Sequence, residues 1–96
     1  MTQLNFTLKQ LDDIHRCGLA LMTPADTARF LGLKAEEREL FLYSIKEESD
    51  LDFVLAWWQG RTETKLTLHE SIVKLAEKGS PAAGPIAESY LREQTL

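Results

Sequence analysis

An all-α fold is predicted, and three observations predict it. The period-two alternation of a half-buried strand is almost absent from the chain. Helix starts recur instead: Thr7 three residues before Gln10, Thr23 before Pro24, and Ser80 before Pro81. Between these starts, apolar residues return at three- and four-residue spacing. The expected architecture is an N-terminal helix-turn-helix bundle, then a long helix and a C-terminal helical hairpin. With 96 residues, one domain is expected over 1–96, its helix-turn-helix part at 7–48 and the long helix with its hairpin at 50–94.

The first helix opens on a capping box at Thr7, with Leu8, Leu11, Ile14 and Leu19 near helical spacing and fraying expected from Gly18 to Met22. In the second, "TPAD" puts a cap at Thr23, proline at the first helical position and Asp26 at the positive helix end, and Gly32 stops it. The third is predicted over 35–48, with three glutamates at its start and Leu40, Phe41 and Ile45 facing inward. A fourth begins near Asp50 and runs to Lys78. Its front half, "LDFVLAWWQG", is apolar nearly all round and should cross the domain centre. Gly60 costs that helix about 1 kcal/mol against alanine, which points to close packing of another backbone or to a kink. Further on, Leu68, Ile72, Leu75 and Ala76 form an apolar stripe, and Gly79 ends the helix. The fifth helix starts at Ser80 and Pro81, or nearer Gly84 because Pro85 removes an early hydrogen bond.

No apolar run approaches the roughly 20 residues of a membrane span. "MTQLNFTLKQ" has no basic residue before a long apolar core, so no signal peptide is expected. The single cysteine, Cys17, fits a reducing compartment. A cytoplasmic protein without membrane association is the expectation. The net charge of −4 disfavours a nucleic-acid binder driven by overall charge. Residues 34–50 hold three basic and six acidic side chains, a local balance of −3, so a polyanion has to find local basic clusters.

Chemistry-bearing patterns are weak. In "HRC", His15 and Cys17 are two apart on a helix and do not face each other, so the imidazole cannot readily activate the thiol. "HESIV" begins like a zinc-protease signature, but Val73 stands where its second histidine belongs. Two histidines and one cysteine are too few soft ligands for a closed zinc site, and no glycine-rich phosphate loop is present. No enzyme activity, catalytic residue, metal or cofactor is expected. Trp57 and Trp58 point about 100° apart on a helix. One is expected in the core and the other against a neighbouring helix or at an interface.

"TPADTARFLGL" at 23–33 carries the helix-turn-helix signal. Ala28 lets two helices approach, Gly32 makes the turn, and Leu31 and Leu33 supply the buried side. Against DNA reading, the next helix mixes Lys34, Arg38 and Lys46 with five glutamates. Taken in order, "TPxxxAxxLGL", "AWWQGR" and "IVKLAEKGSPAA" resemble the phage terminase small subunit, and more closely the short prophage-encoded proteins of that type, over roughly 8–91. The resemblance implies a non-catalytic protein whose helix-turn-helix binds packaging-site DNA. It also implies a ring-shaped homo-oligomer that serves a large subunit carrying the ATPase and nuclease, in a bacterial or phage-infected cell. This chain departs from the pattern in its acidic third helix and in Gly84-Pro85, which is expected to distort the last helix.

The DNA contacts to expect are Lys34, Arg38 and Lys46, with Arg29 on the backbone, giving weak and salt-sensitive binding. The fifth helix offers Ile86, Tyr90 and Leu91 to the stripe of Leu68, Ile72 and Leu75. That is little area for a short helix, so self-association through these residues and Trp57 and Trp58 is expected. The other readings are a helical protein-interaction module without DNA affinity, and a helix-turn-helix transcription regulator.

Overall fold

The computed structural model describes residues 3–93, and among them every regular element is a helix. These are α1 (Leu8–Leu19), α2 (Pro24–Phe30), α3 (Ala35–Lys46), α4 (Asp52–Glu77) and α5 (Ala83–Arg92). They pack as two compact units, one ending at Thr64 and one beginning at Lys65. The division therefore falls within α4, because Phe53, Val54, Trp57 and Gly60 at the front of that helix are buried in the first unit.

Helix ends follow the local chemistry. The Thr7 hydroxyl accepts from the Gln10 amide at 3.1 Å, and the Gln10 side chain accepts from the Thr7 amide at 2.9 Å. Thr23 caps α2 through the Asp26 amide at 3.1 Å, with Pro24 where no helical donor is needed. Gly32 ends α2 at φ 72°, where the Leu33 amide reaches the Ala28 carbonyl at 3.1 Å. A Cβ at Gly32 would touch no neighbour, so Gly32 provides the turn and no helix contact, while Ala28 is fully buried. α3 stops two residues before the predicted Glu48. There Glu48 itself takes φ 53° and the Ser49 amide bonds to the Ser44 carbonyl.

α1 does not fray at Gly18. It continues to Leu19 and is closed by the Met22 amide on the Cys17 carbonyl at 3.0 Å, with Leu21 left-handed at φ 59°. Gly18 serves packing instead. A Cβ there would collide with the Trp57 carbonyl oxygen, and a Cβ on Gly60 would collide with the His15 carbonyl oxygen. The two glycines bring α1 and α4 to backbone contact, so Gly60 reflects close approach and not a kink. The Thr64 hydroxyl donates to the Leu19 carbonyl beyond the crossing, and His15 Nε2 meets Glu63 Oε2 at 3.2 Å beside it.

The core of the first unit is Ile14, Ala28, Phe41, Ile45, Phe53, Val54 and Trp57. Phe41 and Phe53 stack with centroids 5.4 Å apart, and Phe6 meets Phe53 edge-on at 5.3 Å. Each such pair adds about 0.5–1.5 kcal/mol beyond its buried area. The front of α4 does not bury every side: Leu55 is exposed, as is Leu51 just before the helix, against the expectation of burial all round. Leu40 is half-buried and Leu8 exposed.

In the second unit, Gly79 ends α4 at φ 84° with the Ser80 amide on the Leu75 carbonyl at 3.0 Å. α5 then begins at Ala83, beside the alternative start expected near Gly84 and not at Ser80 and Pro81, with no side-chain cap. Pro85 is its third residue, inside the first turn where helical amides have no ladder acceptor, so the expected distortion is absent. α4 likewise begins at Asp52 rather than Asp50, and its carboxylate accepts from the Phe53 amide at 2.7 Å.

Candidate functional site

The α2–turn–α3 corner is rigidly built. Thr27 is fully buried; its hydroxyl donates to the Thr23 carbonyl at 2.9 Å and accepts from the Trp57 indole at 3.2 Å. The corner's cations are spread out. Arg29 is exposed on α2 and paired with Asp26 at 3.0 Å. Lys34 stands at the α3 N-cap, where its amide donates to Glu37 Oε1 at 3.0 Å. Arg38 follows one turn later, and Lys46 is the last residue of α3. Eight residues separate Arg38 from Lys46, about 12 Å of helix. Lys34 and Arg38 share one end of α3 with Glu36 and Glu37; Lys46 instead shares its surroundings with Trp58 and Arg61.

Trp57 and Trp58 divide as their spacing suggests. Trp57 is 3% exposed and packed in the core, which corrects its expected place in an oligomer interface. Trp58 is half-buried, its indole N–H donating to the Ile45 carbonyl at 3.0 Å. The rings meet edge-on at 5.0 Å. Arg61 lies over the Trp57 ring, 5.6 Å from its centroid, a contact legible in the four-residue helical spacing but not anticipated.

His15 and Cys17 diverge as predicted. His15 turns to Glu63, while the Cys17 thiol is buried. Burial pushes that thiol above its ordinary range, opposed by a hydrogen bond with Thr27. Among the described residues no group of three His, Cys, Asp or Glu side chains is placed to hold a metal ion, and no helix is long and apolar enough to cross a membrane.

In the hairpin, the Tyr90 ring of α5 lies flat on the His69 ring of α4, centroids 3.5 Å apart. His69, Ile72 and Ala76 form the half-buried line of α4 in this unit. The expected cover of Leu68 and Leu75 by α5 is not found: they remain 50% and 48% exposed. Leu66 and Val73 are exposed as well. Residues seven apart return to nearly the same side of a helix, so Leu66 with Val73 and Leu68 with Leu75 make two apolar flanks. On α5, Ile86 and Leu91 are exposed and Tyr90 is half-buried against His69. The pairing of His69 with Tyr90 runs across the turn and leaves no periodic signal in the sequence.

No family model, curated protein or solved structure matches this chain.

Proposed function

We propose that this chain is a non-enzymatic assembly protein of the phage terminase small-subunit kind. Copies self-associate through the α4–α5 hairpin, and the α2–α3 corner touches DNA weakly. One observation carries the reading: six large apolar side chains of the second unit, Leu66, Leu68, Val73, Leu75, Ile86 and Leu91, stand at least 40% exposed. So much apolar surface on a short hairpin is characteristic of an interaction site. The motif order of the sequence supplies the kind of assembly, and the buried, capped α2–α3 corner supplies a scaffold on which Arg29, Lys34 and Arg38 face solvent in part. A large terminase subunit is the protein partner this reading implies.

A second reading, a helical protein-interaction module without DNA affinity, is favoured by the carboxylates at the start of α3 and by the Asp26 partner of Arg29. Anisotropy of labelled duplexes at low salt separates the two. Terminase-like function predicts binding to random or phage-end duplex that is lost in Arg38→Glu. With four candidate cations, log affinity should fall with log salt no more steeply than a slope of about −4. Absence of binding to either duplex would leave the interaction module as the function.

A further inference from the structure

A groove of about 540 Å³ runs along the first unit where α2, α3 and α4 meet. Pro24, Leu42, Ile45 and Trp58 form its apolar floor, and Lys46 and Arg61 stand on it from two different helices. No carboxylate lines it, which is unusual for a chain of net charge −4. Neither cation is held in an ion pair among the described residues; Arg61 is supported only by the Trp57 ring beneath it. Both indole N–H groups are already bonded inward, to Thr27 and to the Ile45 carbonyl. Of the two, Trp57 is buried, and the half-buried Trp58 offers a ligand ring surface without a free donor.

From this juxtaposition we propose that the groove is a docking site for an acidic, apolar peptide segment of a partner protein. Aliphatic or aromatic side chains of the peptide lie on Pro24, Leu42 and Trp58, and its carboxylates reach Lys46 and Arg61. Charge complementarity selects the occupant: an apolar floor alone would accept any hydrophobic segment, whereas two unpaired cations without a carboxylate favour an acidic one. A nucleic-acid backbone matches the cations but gives the floor nothing apolar to cover. The site is independent of the hairpin and of self-association, and shares only Lys46 with the candidate DNA contacts.

The test uses ¹⁵N-labelled full-length protein. It is titrated with a blocked synthetic peptide alternating Glu with Leu and Phe, with the same peptide carrying Lys for every Glu, and with a short DNA duplex. The acidic peptide is expected to shift the Trp58 indole and the Leu42 and Arg61 amides. Lys46→Glu with Arg61→Glu should weaken that binding about tenfold or more while the protein stays folded and helical, since both side chains are exposed and only the Arg61–Trp57 ring contact is lost. Any of three results would overturn the proposal: unmoved resonances at millimolar acidic peptide, equal shifts from the lysine peptide, or shifts at this groove produced by DNA and not by the acidic peptide.

Discussion

Gly18 and Gly60 face each other across the α1–α4 crossing, each occupying a position where a single methyl group would strike the opposite backbone. Backbone, unlike a flexible side chain, cannot move aside cheaply. Gly60→Ala improves intrinsic helix propensity by about 1 kcal/mol. The collision should outweigh that gain, because overpacking a tight contact costs about 1–3 kcal/mol and here needs the helices to separate. A net loss of stability in urea is expected. A variant as stable as the wild type would mean that the helices are not in contact.

Ala28 and Gly32 separate two roles that the sequence places on one motif. Ala28→Leu inserts a large side chain into a fully buried site and should cost about 1–3 kcal/mol. Gly32→Ala meets open space, and its cost is the left-handed backbone alone, about 1–2 kcal/mol. Gly32→Asn should recover part of the loss, since asparagine tolerates that conformation, whereas Ala28→Asn should not. Recovery by asparagine at both positions, or at neither, would contradict this division. Thermal melting of the four variants decides it.

The residues that were legible in the sequence are those whose signal is local. Thr7 with Gln10, Thr23 with Pro24, Gly32 and Gly79 all end or begin helices through contacts within a few residues. Gly60 pointed to a close approach or a kink, and only the contact with α1 decides for the approach and names the helix. What escaped the sequence depends on tertiary partners: Phe6 lies before the first helix and still packs on Phe53, and Tyr90 finds His69 across a turn. Trp57 and Trp58 could be divided between core and edge, but only their burial in the folded chain shows which is which. Pro85 pointed correctly to a start near Gly84, one residue from the observed Ala83, whereas the Ser80-Pro81 cap signal placed the start too early.

Cys17 sets an alkaline limit. Burial raises its thiol above the ordinary range, so folding favours the protonated form. Its contribution is full below the unfolded thiol range, near about 8.5, and is lost as pH rises toward the folded value. Urea unfolding of the wild type should therefore weaken between neutral pH and pH of about 9.5 more than that of Cys17→Ala. Equal alkaline losses in the two proteins would place the thiol in water.

The central claim is that the hairpin, with Leu66, Leu68, Val73, Leu75, Ile86 and Leu91 exposed, assembles copies of the chain. Light scattering coupled to size exclusion, at micromolar protein, measures this directly. The full-length chain should elute with a mass above 10.9 kDa, and Leu68→Glu with Leu75→Glu should return it toward the monomer without loss of helix. A full-length protein that keeps the monomer mass as its concentration is raised would contradict the claim.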